Sequence, residues 1–180
     1  MNQGKYTMEE TAAVGEEGVE DCKKYLKSLS KTVNVYDVQG NKEFQIVDVD
    51  LLWYERYSHK EGRCRETWIE VKADRQYKTG NYFFETVSNK DKNTPGCFMY
   101  TKAKYLFYYF IDQKELHVLE VEPVREWFKE NIELFTEKST STKVGDGFDP
   151  SKGRLVKRDL VLETFPDNAK KIKIEKYLTS

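Results

Sequence analysis

The clearest alternation of apolar and polar positions lies in residues 66–74, where β-forming residues are interleaved with charged ones. A period of two is typical of a β-strand with one face against a core. It also places Glu70 and Lys72 side by side on the other face. This pair indicates either a surface ion pair, which stabilises a protein little, or a metal ligand beside a charge stabiliser.

A second acidic strand is predicted earlier in the chain, over residues 44–53. Asp48 and Asp50 fall on one face of this strand, and apolar residues follow Asp50 directly. Residues 33–38 predict a further short strand, and the turn at residues 39–41 predicts a hairpin between the two. The second acidic strand favours the metal-ligand interpretation over the ion pair.

Residues 9–29 precede these strands and show the three- and four-residue spacing of an amphipathic helix. Its apolar stripe has four members: Val19, Cys22, Leu26 and Leu29. Three glutamates lie outside the stripe and are typical of a solvated acidic face. Glu16 is nearest the edge of the stripe and therefore best placed to reach a site beside the core, while Glu17 and Glu20 stay open as alternatives.

The rest of the chain predicts further strands and one more helix. Strands are expected in three segments, residues 82–87, 105–111 and 115–121. A helix begins at Pro123 and runs to about residue 135. Residues 136–153 are rich in Ser, Thr, Lys and Gly and predict a loop, and residues 155–156 and 160–162 add strand. The predicted fold class is α/β (α+β), with a central mixed sheet flanked by helices.

Length and composition indicate one folded domain. The chain has 180 residues, of which 38% are hydrophobic and 14% aromatic, so it is not a disordered protein. We expect a single domain over residues 1–180, with a core at about residues 9–135 and a loop and basic extension over residues 136–180. The formal net charge of −1 excludes an overall polycation, so any basic surface must be local.

Cysteine usage and hydropathy bear on the compartment. The three cysteines are far apart and form no Cys-x-x-Cys pair, which argues against structural zinc and for a reducing compartment. Cys97 has no general base next to it in sequence and is expected to be a core thiol. No apolar run approaches membrane-spanning length. We therefore expect a cytoplasmic protein with no membrane partner.

The predicted order of a helix and then strands, with Asp on one strand and Glu-x-Lys on the next, resembles the PD-(D/E)xK nuclease superfamily. The resemblance rests on Asp50-Leu51-Leu52-Trp53 and on Glu70-Val71-Lys72. The resemblance extends roughly over residues 9–111. Within the superfamily, the sequence is similar to Holliday junction resolvases and to small phage and bacterial members. Two features depart from the family pattern: Val49 precedes Asp50, and no long helix follows the Glu-x-Lys strand.

The resemblance implies a restriction-endonuclease-like core and a site for Mg²⁺ or Mn²⁺. Asp50 and Glu70 would be metal ligands, and Lys72 would stabilise the negative charge that develops during hydrolysis. Glu16 would complete the metal shell from the helix. Asp48 stays open as a replacement or assistant for Asp50, and Glu85 is expected to be an ordinary strand carboxylate.

The implied activity is metal-dependent hydrolysis of DNA by a structure-selective or weakly specific endonuclease, for which a homodimer is plausible. Four basic residues are predicted to contact the nucleic acid: Arg63, Arg65, Lys78 and Lys102. Two other interpretations stay open. One is a nucleic-acid-binding module with a degenerate site, and the other is a phage or host interaction protein that uses the fold as a scaffold.

Overall fold

The structure is a computed structural model that describes residues 7–57, 62–89, 94–144 and 147–179. Within these residues the helices are α1 (Met8–Ser28), α2 (Lys42–Gln45), α3 (Cys97–Tyr100), α4 (Val121–Glu130) and α5 (Arg158–Thr164). The strands are β1 (Thr32–Asp37), β2 (Leu51–Arg56), β3 (Cys64–Asp74), β4 (Asn81–Asn89), β5 (Thr94–Pro95), β6 (Tyr105–Phe110), β7 (Glu115–Glu120), β8 (Thr136–Val144), β9 (Gly147–Lys157) and β10 (Ala169–Lys173). None of the described helices is both long and apolar enough to cross a membrane.

Six strands form a central sheet in the order β1-β2-β3-β6-β7-β10. The β3 and β6 strands run parallel, and the other neighbouring pairs are antiparallel. Helix α1 covers one face of this sheet, and α4 packs on the other. The predicted mixed sheet flanked by helices is therefore confirmed, and β1 and β2 pair antiparallel as predicted, although α2 and not a tight turn lies between them. A second, antiparallel sheet has the order β5-β4-β9-β8.

Helix α1 begins with a capping box and packs its apolar stripe against the sheet. Thr7 Oγ1 accepts a hydrogen bond from Glu10 N over 3.2 Å, and Glu10 Oε2 accepts one from Thr7 N over 2.8 Å. The predicted stripe lies in one apolar cluster with Ile69 and other residues of the central strands. A Cβ atom added to Gly18 would stand 2.6 Å from Ala73 Cβ, so the helix approaches β3 closely at this point.

The opposite face of the central sheet is covered by aromatic side chains from the second sheet and from α4. Tyr108 and Phe110 of β6 are buried against Tyr82 of β4, and the ring centroids of Tyr82 and Tyr108 are 4.9 Å apart. Phe84 of β4 continues this cluster to Phe128 of α4, with centroids 5.3 Å apart. Burial of these large rings stabilises the packing of the two sheets.

Residues 44–48 do not form the predicted strand. They lie in α2 and the turns that follow it, and strand β2 begins only at Leu51. Asn41 starts α2, because its Oδ1 accepts a hydrogen bond from Glu43 N over 2.9 Å. Phe44 packs on Trp68 with ring centroids 5.4 Å apart, whereas Ile46 is 75% exposed. The apolar residues of this segment therefore belong to a helical turn and not to a strand.

Two other predictions for the second half of the chain are wrong. Residues 136–144 and 147–153 are not a loop but belong to β8 and β9, which pair from Thr136↔Leu155 to Val144↔Gly147, and residues 145–146 lie outside the described part of the chain. The many β-branched threonines of β8 favour this strand. Residues 160–162 lie in α5 and not in a strand, and Val161 is the buried member of that helix.

The connection from β3 to β6 is made by β4, β5 and the four-residue α3. No long helix lies among the described residues of this connection, as the sequence indicated. A parallel pair needs a crossover of a dozen or more residues, and this insertion supplies it. Its consequence is that α3 comes to lie over the face of β3 that points away from α1.

Candidate metal centre

Glu70 and Lys72 lie on the face of β3 that points away from α1. Ile69 and Val71 belong to the apolar cluster under α1, so the alternation of the strand sends Glu70 and Lys72 to the other face. Glu70 is 9% exposed, which leaves its carboxyl group almost without water. Lys72 is partly buried, and its Nζ lies 5.8 Å from the centroid of the Phe83 ring.

Asp50 stands beside Glu70 because β2 and β3 are antiparallel neighbours. Leu51 pairs with Ile69, and Asp50 N donates a hydrogen bond to Ile69 O over 3.0 Å. Asp50 Oδ2 accepts a hydrogen bond from Val71 N over 2.9 Å. The charge of Asp50 raises the pKa of Glu70, after the larger effect of burial, so the two carboxyl groups are close neighbours. The predicted adjacency of these two acidic strands is thus confirmed.

Asp48 joins Glu70 from a turn and not from a strand. Its backbone has a positive φ of 55°, a conformation that Asp tolerates better than most residues. Asp48 O accepts a hydrogen bond from Thr101 Oγ1 over 2.6 Å, which fixes the turn against the segment after α3. One carboxylate oxygen of Asp48, one of Glu70 and the Cys97 sulfur all lie within 4.8 Å of one another. We call these three residues the carboxylate–thiol cluster.

Cys97 is the member that sequence reasoning missed, since it was expected to be an ordinary core thiol. It is the first residue of α3, which follows Gly96. A Cβ atom on Gly96 would stand 2.3 Å from Glu85 O, so only glycine lets α3 lie this close to β4. The position of Cys97 over β3 is therefore set by the inserted segment, and no periodicity in the sequence points to it.

Two carboxylate oxygens of the cluster are buried without a hydrogen-bond partner among the described residues, Asp48 Oδ2 and Glu70 Oε2. A buried polar atom that gives up water without a replacement costs about 1–3 kcal/mol, and more when it is charged. A divalent cation removes this penalty, because carboxylate oxygens are the ligands it prefers. The donor set of the cluster therefore fits a divalent metal ion.

The acids of the site have raised pKa values. Burial raises the pKa of Asp48 to about 6, the charge of Asp50 adds to this, and Lys72 counteracts part of it. Burial also raises the pKa of Glu70 well above its ordinary range, with further contributions from Asp50 and Asp48. For Asp50, burial raises the pKa although the Val71 N–H favours the carboxylate. Carboxyl groups held in this way favour a nearby positive charge.

Lys72 supplies one such charge. Burial alone would lower the pKa of Lys72, but the nearby Cys97 and the carboxylates of Glu85, Asp74 and Glu70 together raise it above its ordinary value. The ammonium group is therefore charged at neutral pH and lies in the same electrostatic field as the cluster. Glu85, expected to be an ordinary strand carboxylate, contributes to this field.

The structure does not bring Glu16 to the carboxylates. Glu16 is exposed on α1, and α1 packs on the face of the sheet opposite to Glu70. The alternatives are engaged elsewhere, since Glu17 Oε1 lies 3.0 Å from Lys114 Nζ and Glu20 Oε2 lies 2.6 Å from a lysine one turn along the helix. We therefore leave all three glutamates out of the candidate site, and Asp48 is the acid that joins Asp50 and Glu70.

The four predicted nucleic-acid contacts do not form one surface. Arg65 is bound to Glu55 and lines a cavity on the α1 side of the sheet, away from Glu70. Arg63 is exposed in the segment before β3, and Lys78 is exposed in the turn after it. Lys102 does lie beside the cluster, because its N donates a hydrogen bond over 2.9 Å to the carbonyl of Val47, the residue before Asp48.

Lys102 lines a cavity of about 440 Å³ that we call the basic cavity. Its lining residues are Ile46, Val47, Met99, Tyr100, Lys102, Arg125 and Lys129. Burial raises the pKa of Tyr100 to about 12, and the Asp48 charge contributes, so the cavity adjoins the carboxylates. Arg125 comes from α4 and donates a hydrogen bond to Thr101 O over 2.8 Å. Arg125 and Lys129 were missed from the sequence because helix periodicity only marked α4 as amphipathic.

Comparisons of this chain with family models, with curated proteins and with solved structures gave no significant match. The resemblance to the PD-(D/E)xK superfamily therefore stays a hypothesis drawn from the sequence motif. Asp50 lies one residue before β2 and next to β3, the strand that carries Glu70 and Lys72. Two features give that hypothesis no support. Helix α1 packs on the face of the sheet opposite to Glu70, and the connection from β3 to β6 consists mainly of strands.

Proposed function

We propose that this protein hydrolyses phosphodiester bonds in DNA with the help of a divalent metal ion, on a core of the restriction-endonuclease type. The observation that carries the proposal is the buried Glu70 oxygen without a hydrogen-bond partner among the described residues, beside Asp50 and the charged Lys72. Acidic ligands next to a lysine are what phosphoryl transfer by water requires, because negative charge accumulates on the phosphate oxygens.

Each residue has a distinct task in this proposal. Glu70 and Asp48 hold the metal ion, and Asp50 supports Glu70 and supplies a further carboxylate oxygen. A bound Mg²⁺ or Mn²⁺ lowers the pKa of a coordinated water and offsets negative charge on the phosphate. Lys72 stabilises the charge that develops in the transition state, since its ammonium group shares the face of β3 with Glu70.

The basic cavity supplies the second part of the proposal, which is the binding of the nucleic-acid backbone. Lys102, Arg125 and Lys129 present three positive charges next to the turn that carries Asp48. Positive side chains beside a site of phosphate chemistry bind the neighbouring phosphates and set the register of the strand. This gives an otherwise nearly neutral chain a local surface for DNA.

A second candidate is a nucleic-acid-binding module without catalysis. It is favoured by one observation, the hydrogen bond from Val71 N to Asp50 Oδ2, which gives Asp50 a structural role in the sheet. A carboxylate that is used in this way has one oxygen fewer to offer a metal ion. Under this interpretation the basic cavity binds DNA, and the buried acids serve only the fold.

The test is incubation of the purified protein with branched, duplex and single-stranded DNA, each with Mg²⁺, with Mn²⁺ and with a chelator. We expect cleavage of at least one substrate that stops in the chelator. Binding to DNA without cleavage in either metal would favour the binding module. Neither binding nor cleavage would leave the fold as a scaffold for contacts with another protein.

A further inference from the structure

Cys97 places a thiol next to two carboxylates that come from separate parts of the chain. Asp48 lies in the turn before β2, Glu70 in the middle of β3, and Cys97 at the first position of α3. Their ligand atoms are within 4.8 Å of one another, a spacing that a single ion can bridge. The surroundings of the Cys97 sulfur are thus polar, unlike those of an ordinary core thiol.

The three segments are tied together by contacts that do not involve the ligand atoms. The buried Thr101 Oγ1 donates to Asp48 O over 2.6 Å and accepts from Ala103 N over 3.0 Å. Phe98, next to Cys97, stacks on Phe84 of β4 with ring centroids 4.1 Å apart. These contacts fix the turn and α3 against the sheet, so the backbone holds the three ligand atoms close together.

A second observation points to a ligand for this arrangement. Glu70 is nine-tenths buried, and its Oε2 has no hydrogen-bond partner in the part of the chain that the structure describes. The single thiol proton of Cys97 is shared with the Asp48 carboxyl group, so it does not serve Glu70 Oε2. A divalent cation among the three residues would take one ligand atom from each of them.

We propose that the carboxylate–thiol cluster binds a borderline divalent cation of the Zn²⁺ class, with the Cys97 thiolate as a direct ligand beside Asp48 and Glu70. Thiolate sulfur prefers zinc and similar ions, whereas Mg²⁺ takes oxygen ligands and keeps much of its water. Coordination removes the thiol proton, which passes to solvent, and forms the metal–sulfur bond. The sequence argument against structural zinc concerned Cys-x-x-Cys pairs and does not apply to this set.

This inference rests on the same metal centre as the proposed function, but it concerns the identity of the ion and does not require catalysis. If the protein binds Zn²⁺ through Cys97 and cleaves no DNA, the proposed function fails and the inference stands. If the protein cleaves DNA with Mg²⁺ and a Cys97 variant cleaves equally well with no difference in metal binding, the inference fails and the proposed function stands.

The experiment measures Co²⁺ binding by absorption and Zn²⁺ affinity by competition with a chromophoric chelator. It uses the full chain with Cys64→Ser, because Cys64 is exposed and free and would otherwise add a surface thiol. The test variant adds Cys97→Ser, which keeps the size of the side chain and removes the thiolate. Circular dichroism checks that each variant is folded.

We expect one Co²⁺ per chain with a sulfur-to-cobalt charge-transfer band that is lost in the Cys97→Ser variant. Zn²⁺ affinity should fall at least about tenfold in that variant, since loss even of a group that only supports a ligand costs ~10–100-fold. Zn²⁺ should also displace Mg²⁺ readily. Co²⁺ binding without the band, or equal Zn²⁺ affinity with and without Cys97, would overturn the inference.

A second measurement covers the case in which the Cys97→Ser variant does not fold. In the Cys64→Ser chain, the rate at which iodoacetamide modifies Cys97 is followed by peptide mass spectrometry. Zn²⁺ should slow this modification at least about tenfold, because a coordinated thiolate is protected, and Mg²⁺ at the same concentration should not. Equal modification rates with and without Zn²⁺ would contradict the proposal.

Discussion

Val71 N donates a hydrogen bond to Asp50 Oδ2 over 2.9 Å, just where β2 begins beside β3. Asp50 thereby extends the pairing of the two strands by one bond that comes from a side chain. The same contact holds its carboxyl group against that of Glu70. One residue thus stabilises the sheet and positions the acids of the candidate site.

The contact predicts different stabilities for two substitutions at Asp50. Asp50→Asn keeps an oxygen acceptor for Val71 N and removes a buried carboxyl group, so its free energy of unfolding should equal or exceed that of the wild type. Asp50→Ala leaves the buried Val71 N–H without its partner and should lose about 1–3 kcal/mol. Urea unfolding in a chelating buffer measures both. Equal stability of the two variants would show that the hydrogen bond contributes nothing to the fold.

The raised pKa of Asp48 predicts a pH dependence of stability. The pKa rises from 3.8 to about 6 because burial disfavours the carboxylate, so the folded state holds the proton more tightly than the unfolded state. Stability is then highest below the unfolded pKa and falls as the pH rises through about 6. Asp48→Asn should remove this loss and stabilise the metal-free protein near neutral pH by on the order of 1–3 kcal/mol.

Unfolding of the metal-free Asp48→Asn variant and of the wild type near pH 4 and near pH 7.5 tests this prediction. The gain should be larger at the higher pH. The difference between the two pH values is the readout, because Asn also favours a positive φ at every pH. Glu130→Gln, an exposed change on α4, is the matched control and should show no such difference. A gain that is independent of pH would contradict the assignment to Asp48 ionisation.

The position of Cys97 requires glycine at residue 96, where a side chain would clash with β4. In Gly96→Ala the new Cβ would meet Glu85 O at 2.3 Å, so α3 and β4 would have to separate. Overpacking of this kind costs about 1–3 kcal/mol and should also weaken metal binding by moving Cys97. Gly15→Ala is the control, because its Cβ meets nothing within 4 Å and helix propensity should stabilise it by up to about 1 kcal/mol. Thermal unfolding of both variants should therefore give shifts of opposite sign.

The basic cavity predicts the salt dependence of DNA binding. Lys102→Ala combined with Lys129→Ala removes two exposed charges and leaves Arg125, which bonds to the main chain, in place. Affinity should fall, and the slope of log K against log salt should decrease by about 0.9 for each duplex phosphate that the variant no longer neutralises. The control combines Lys24→Ala with Lys27→Ala on α1, an equal change in charge elsewhere. An equal decrease in affinity in both double variants would indicate a general charge effect and not a site.

The part of the fold that follows regular periodicity could be predicted from the sequence. The apolar stripe of α1 and the alternation around Glu70 each indicate one buried face. These patterns also predict that the Asp50 and Glu70 strands are neighbours. The sequence could not show that residues 44–48 turn away from the strand, because the exposed Ile46 imitates a buried position.

Long-range placement explains the remaining errors. Cys97 reaches Glu70 only through the inserted β4, β5 and α3, and nothing local in the sequence encodes that approach. Helix periodicity places Glu16 near the apolar stripe of α1. It does not show on which face of the sheet α1 packs, and α1 packs on the face opposite to Glu70. The Ser/Thr-rich β8 was missed because its pairing with β9 is a tertiary contact and its composition is that of a loop.

In the proposed function, Glu70 and Lys72 promote phosphodiester hydrolysis with a divalent ion. The most direct test is the rate of cleavage of DNA in Mg²⁺ or Mn²⁺ by the wild type, Glu70→Gln and Lys72→Ala, with Lys24→Ala as the matched control. We expect the wild type and the control to cleave, Glu70→Gln to lose activity, and Lys72→Ala to fall by on the order of 10²-fold. Cleavage by both variants at the wild-type rate, or no cleavage by the wild type in either metal, would contradict the proposed function.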